Sequence, residues 1–270
     1  MKNFKRIAAA VSALAIMSTA TTYSISAFAA GEEYDFNSDG VTNSMDMSVF
    51  WKYLLTDGGT KSMKSTGSAE NDKYFENIEL TDDAIAKIKA VGDVNNDKKI
   101  DGFDSSDLIK KFFKEGVYVS DVNKDGKLEQ IDAQLVADYY GAVQSHSIEK
   151  FLTAEERNFI VENCNYDGDY QISALDASFL SSYLADVWRE TYEMGDTNLD
   201  GVVDAVDASI VLTRYSRAQT HKLGYNGDDV ESEEITNAYI IVMGDINNDG
   251  AINALDASLI LSAYADAQTK

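Results

Sequence analysis

The chain repeats one twelve-residue acidic pattern six times, and each copy dictates a tight turn followed by a helix. The copies are DFNSDGVTNSMD (Asp35 to Asp46), DVNNDKKIDGFD (Asp93 to Asp104), DVNKDGKLEQID (Asp121 to Asp132), NYDGDYQISALD (Asn165 to Asp176), DTNLDGVVDAVD (Asp196 to Asp207) and DINNDGAINALD (Asp245 to Asp256). Oxygen-bearing side chains stand at positions 1, 3, 5, 9 and 12, and glycine at position 6 in four copies. Position 6 turns sharply, which favours glycine because φ becomes positive there. A hard cation that takes six to eight oxygens at flexible geometry, calcium, suits such a loop. One match is weak; six in one chain are not chance.

The ligand sets follow from the spacing, which is that of an EF-hand loop. The first loop offers Asp35, Asn37, Asp39, Asn43 and Asp46, with the main-chain carbonyl of Val41 at position 7. The second offers Asp93, Asn95, Asp97, Asp101 and Asp104 with Lys99, and the third Asp121, Asn123, Asp125, Glu129 and Asp132 with Lys127. The fourth offers Asn165, Asp167, Asp169 and Asp176. The fifth has Asp196, Asn198, Asp200, Asp204 and Asp207 with Val202, and the sixth Asp245, Asn247, Asp249, Asn253 and Asp256 with Ala251. Up to six Ca2+ ions are expected. Lys98 and Tyr170 replace glycine in loops two and four, each at a cost of about 1 kcal/mol of backbone strain. Asn165 also removes a charge, and an alternative register for loop four begins at Asn163. Loops 93–104 and 165–176 are therefore expected to bind more weakly. Aspartate rather than the glutamate of intracellular sensors fills position 12 throughout.

The formal charge is −23, and 21 carboxylates sit at the five side-chain ligand positions. Acidity concentrated in loops argues against nucleic-acid binding, which needs the opposite sign. It also implies strong self-repulsion without metal, so that cation binding and folding are coupled. Cys164 is the one cysteine. Calcium, not a disulfide, then compensates for a thin core, and an inert thiol is expected.

Lys2, Lys5 and Arg6 precede an apolar run from Ile7 to about Ala20, and Ala27-Phe28-Ala29 offers a cleavage site. Residues 1–29 read as a secretory signal peptide, which implies a secreted, extracellular protein. No later stretch approaches the length of a membrane span.

Positions 13, 16, 17 and 20 after each loop start carry an apolar helical stripe, from Met47, Phe50, Trp51 and Leu54 to Ala257, Ile260, Leu261 and Tyr264. Three loops are also preceded by helical patterns. These are capped by Thr81, by the Thr153–Glu156 capping box, and by Ser232 ahead of a stripe of Ile235, Ala238, Tyr239 and Val242. Apolar position 8, as in Val203 and Ile252, suits a short strand contact between paired loops. Residues 57–77, rich in Gly, Ser, Lys and Asp, read as a mobile linker. The expected fold is all-α. It has three tandem modules of two loop–helix (F-hand) motifs each, at 30–117, 118–190 and 191–270, and no catalytic domain. Pairing loop two with three and four with five is the alternative, and it strands loops one and six.

The duplicated pattern, clearest in GDTNLDGVVDAVDASIVLTRYSRA (Gly195 to Ala218) and GDINNDGAINALDASLILSAYADA (Gly244 to Ala267), resembles the dockerin family. The resemblance implies a calcium-folded module that binds cohesin modules of scaffoldin or cell-surface proteins in cellulosome-type, polysaccharide-degrading assemblies. It places partner choice at Ala205, Val206, Thr213 and Arg214, and at Ala254, Leu255, Ser262 and Ala263. The near-identity of these halves implies that a partner can bind in two orientations. With His146 and His221 the only histidines and no nucleophile or metalloprotease motif, a non-catalytic adaptor is expected rather than an enzyme. The alternative is an extracellular calcium-binding protein that buffers ions or holds structure together without cohesin.

Overall fold

Each acidic loop hands the chain to a helix at its ninth residue. In the computed structural model the described residues are 33–145, 152–219 and 238–269. Among them are ten helices and no strand. They are α1 (Ser44–Leu55), α2 (Ala69–Glu76), α3 (Asp82–Val91), α4 (Gly102–Lys114), α5 (Gln130–Gln144), α6 (Ala154–Asn163), α7 (Ala174–Thr191), α8 (Ala205–Gln219), α9 (Ala238–Gly244) and α10 (Ala254–Gln268). The signal-peptide reading of residues 1–29 lies outside the described residues, as do the cap Ser232 and Ile235. Among the described residues no helix is long and apolar enough to cross a membrane.

The loop itself starts the helix. Position 9 is the N-cap and position 12 the third helical residue, joined in a capping box in loops one, two, three and six. Thr81 and Thr153 cap α3 and α6 as the sequence predicts. The stripe is narrower than expected. Positions 13 and 16 are buried in every copy, for example Met47 and Phe50, Ala208 and Val211, Ala257 and Ile260. At position 17, however, Leu212 and Leu261 are each 43% exposed. A helix packed on one partner buries only the residues that face it, and position 17 lies at the edge of that contact.

The described residues divide into two compact units, one ending at Tyr183 and one beginning at Leu184. The first is organised by aromatic rings. Phe36 stacks on Phe50 with centroids 5.9 Å apart, Phe112 meets Tyr118 at 5.4 Å, and Phe113 meets Tyr166 at 4.7 Å. The Tyr166 hydroxyl lies 2.8 Å from Ser120 Oγ, and the Tyr118 hydroxyl donates to the Tyr166 carbonyl at 2.7 Å. Loop four is thus tied to the segment entering loop three.

The second unit packs α8 against α10 around Ala208, Val211, Ala257 and Ile260, flanked by Val203, Ile246 and Ile252. Val203 and Ile252 meet this core as side chains rather than through a strand. In loop five the N–H groups on either side of Val203 donate to the carboxylates of Asp200 and Asp207. In α9 the buried residues are Ile240 and Met243, not Tyr239 or Val242. The helix is turned by about one residue from the expected phase, which puts the Tyr239 ring edge-on to Trp188 at 5.9 Å.

Residues 57–77 are not a bare linker. Ser68 caps α2, Asp72 accepts from Ser65 and Thr66, and Lys64 N–H donates to the Leu55 carbonyl at 2.9 Å. Phe75 is buried, and Lys52 Nζ donates to its carbonyl at 2.6 Å. The polar residues that suggested mobility are the ones that cap and staple the segment.

Candidate functional site

The ligand side chains of each loop are held by the loop's own main chain. In loop one, Asp35 accepts from the N–H groups of Asp39 and Gly40, Asn37 from Asp39, Asp39 from Val41, and Asn43 from Met45. Asp46 accepts from Asn37 at 3.2 Å and from Asn43 at 2.8 Å, closing the loop end to end. Loops three, five and six repeat this pattern around Asp121, Asp196 and Asp245. Each loop wound this way has two left-handed residues, at positions 4 and 6. These are Ser38 and Gly40, Lys124 and Gly126, Leu199 and Gly201, and Asn248 and Gly250.

Loop two keeps this turn at a cost. Lys98 sits at φ +73 in the glycine position, and its N–H still donates to Asp93 Oδ2 at 2.9 Å. Loop four gives it up. Gly168 at position 4 has φ +66, which fixes the frame at Asn165, while Tyr170 is not left-handed. The expected strain at Tyr170 is therefore absent, because the loop adopts a different turn. Asn163 belongs to α6 and donates back to the Phe159 carbonyl, so the alternative register is excluded. In loop four the position 6 N–H donates to Asn71 Oδ1 at 3.1 Å, and Asn71 Nδ2 donates to Asp169 Oδ2 at 3.0 Å. An amide from α2 has taken over part of the loop's closure.

The position 12 aspartates, Asp46, Asp104, Asp132, Asp176, Asp207 and Asp256, are all fully buried. Aspartate is the right length here because it must reach the N–H of position 9 as well as face the loop. Burial raises the carboxyls of Asp46 and Asp132 to about 6, against the opposing pull of their N–H donors. Asp167 and Asp176 are raised in the same direction, first by burial and then by neighbouring carboxylates. Burial raises Asp196 as well. The Cys164 thiol is fully buried and pushed up to about 12 by burial, consistent with an inert side chain.

Do these residues suit a cation? Among the described residues no three carboxylate, histidine or cysteine side chains are drawn together tightly enough to hold one unaided. The loops, however, mix carboxylates with amide and main-chain oxygens, as calcium sites do. Three ligand-position oxygens, Asp93 Oδ1, Asn165 Oδ1 and Asp256 Oδ1, are buried with no hydrogen-bond partner. An orphaned buried acceptor costs roughly 1–3 kcal/mol, and a bound cation removes that cost. The donor set and the orphaned oxygens fit calcium.

Sequence reasoning missed position 2. Phe36, Val122, Tyr166 and Thr197 are buried there, anchoring their loops in the core. The signal was an apolar or aromatic residue recurring inside an otherwise polar loop. It also missed Asn71, whose partners lie 98 and 99 positions away.

The positions at which the sequence resemblance places partner choice belong to the second unit. Val206 and Leu255 are 53% and 54% exposed, equivalent to within a percent. Ala205, Ala254, Ser262 and Ala263 are exposed, whereas Thr213 and Arg214 are half-buried.

The model of the dockerin type I domain matches residues 91–141 and 166–215. These two tandem segments are similar to dockerin type I domains and support a dockerin family. No curated protein and no solved structure matches it. The matched dockerin stretches take loop two with three and four with five, the alternative frame of the repeats. In the fold, the helix after loop five packs on the helix after loop six. Loops one and six lie outside the matched residues.

Proposed function

We propose that the chain is a secreted, non-catalytic adaptor whose calcium-folded dockerin modules bind cohesin modules. It would assemble or anchor an extracellular, cellulosome-type, polysaccharide-degrading complex. The loop ligands named above hold the calcium ions, up to six of them, and the chain is organised as modules at 30–117, 118–190 and 191–270. The observation that carries this reading is the surface of the second unit. Its core takes positions 13 and 16 and leaves Val206, Leu255, Leu212 and Leu261 between 43% and 54% exposed. Apolar side chains standing at the edge of polar loops are what a protein partner buries.

Calcium supplies positive charge at the centre of each loop. The chain's own residues do the rest. Position 12 ties the loop to its helix, position 2 anchors it to the core, and positions 10 and 11 are thereby fixed at the surface. The equal exposure of Val206 and Leu255 supports docking in either of two orientations, although the half-buried Thr213 and Arg214 make the helix faces unequal.

The test is capture of the full chain by immobilised type I cohesins in millimolar calcium and again in EDTA. Capture in calcium and release in chelator is expected. Calcium binding without capture by any cohesin would overturn the adaptor reading and leave an extracellular calcium-binding protein. Exchanging Val206 and Leu255 for aspartate singly is expected to leave binding through the other half; loss with either one alone would contradict the two-orientation reading.

A further inference from the structure

One face of α1 is closed where its counterparts are open. Position 14 is serine in five copies, Ser48, Ser106, Ser178, Ser209 and Ser258. Ser48 is fully buried, while Ser178, Ser209 and Ser258 are exposed and Ser106 is half-buried. What covers Ser48 is loop four and α2. Its hydroxyl contacts the Gly168 carbonyl and the Tyr74 hydroxyl. Gly168 lies so close that a Cβ there would come within 2.1 Å of the Ser44 carbonyl oxygen and 2.8 Å of the Ser48 nitrogen. Asn71 clasps Asp169 and the Tyr170 N–H, and the Tyr74 and Tyr170 rings lie 6.2 Å apart. Further along α1, positions 18 and 19 are Lys52, tied to the Phe75 carbonyl, and Tyr53, which is buried. The same positions in α10, Ser262 and Ala263, are exposed.

We infer that loop four is the internal partner of the first loop–helix motif: docked on α1 and clasped by Asn71, it closes the Ser48 face of that helix to an outside protein, although Met45 at position 11 stays 41% exposed. The Gly168 carbonyl and the Ser48 hydroxyl replace an external contact, and the non-standard turn at Tyr170 is what lets Asn71 reach it. The consequence for valency rests on the adaptor reading: an outside cohesin engages the loops of the second unit, not the Ser48 face of α1.

The closure is tested without a cohesin. Single substitutions Ser48→Cys, Ser209→Cys and Ser258→Cys are made in the full chain, and maleimide labelling in calcium is followed by peptide mass mapping, which separates them from buried Cys164. Position 48 is expected to label about 100-fold more slowly than positions 209 and 258, since it requires local opening. Adding Asn71→Ala to Ser48→Cys is expected to raise that rate at least about tenfold, while Ser258→Cys with Asn71→Ala is unchanged. Gly168→Ala, whose Cβ cannot be accommodated, is expected to do the same more strongly, with helicity checked by circular dichroism. Labelling at position 48 within about threefold of position 258, or a rate that Asn71→Ala does not move, overturns the inference. Failure of cohesin capture alone would leave these rates as expected and count against the adaptor reading instead.

Discussion

At the scale of single residues, the loops hold their carboxylates in two roles that compete. Position 12 is buried to cap a helix, yet burial without a cation penalises its charge. For Asp46 and Asp132, raised to about 6, the protonated form favours the metal-free fold. Their contribution is full at pH below the ordinary aspartate pKa and is lost as pH rises through about 6. In EDTA the chain should therefore melt at a higher temperature near pH 5 than near pH 7. In millimolar calcium the order should reverse, because protons compete with the ion. Differential scanning calorimetry at both pH values checks this; a higher EDTA melting point at pH 7 would contradict it. Lys98, held at φ +73, gives a second case. Lys98→Gly should stabilise the calcium-loaded chain by up to about 1 kcal/mol, read from chemical denaturation, since glycine adopts that conformation without a Cβ penalty. An equal or greater loss would mean that the side chain contributes contacts of its own.

At the scale of elements, each loop and helix follows from the chemistry of adjacent residues, and that is why they were legible. Ligand spacing, capping residues and the buried pair at positions 13 and 16 all act within about one turn of the chain. The segment 57–77 was not legible for the opposite reason. Ser65, Thr66, Ser68 and Asp72 have the composition of a linker, and only their mutual hydrogen bonds make α2. Asn71 and loop four could not be paired from sequence because nothing local requires them to meet. The phase of α9 was misjudged because apolar residues surround that helix, so periodicity alone could not choose a face. In the second unit the separation of core from surface makes a sharp prediction. Ile260→Ala should cost roughly 2–5 kcal/mol of that unit's stability. Val206→Asp, at an exposed site, should stay within about 0.5 kcal/mol and leave binding through the Leu255 half, whereas Val206→Asp with Leu255→Asp should remove binding by this unit. Urea unfolding of both variants beside a binding assay separates the roles; a comparable stability loss in Val206→Asp would place that residue in the core.

At the scale of the whole molecule, the repeats are alike in sequence but unequal in setting. Four of the loops share one compact unit built on aromatic contacts, and two form a smaller unit on a four-residue aliphatic core. Loop four has an amide at position 1, a non-standard turn and a clasp from α2, and loop two carries a strained lysine. Calcium titration should accordingly resolve tighter sites in loops one, three, five and six and weaker ones in loops two and four. Isothermal calorimetry showing six equivalent sites would contradict that ordering. The network of N–H donors around each carboxylate explains how one loop can be recognisable from spacing and yet depend on an ion. The hydrogen bonds set the shape, and the like charges they gather oppose it.

The dependence of the fold on that ion is best measured by thermal unfolding of the full chain at pH 7, followed by far-ultraviolet circular dichroism in millimolar calcium and in EDTA. A large upward shift in melting temperature with calcium, together with greater helicity, is the predicted result. Superimposable curves would show that the loops close without metal, and would contradict the account at its base.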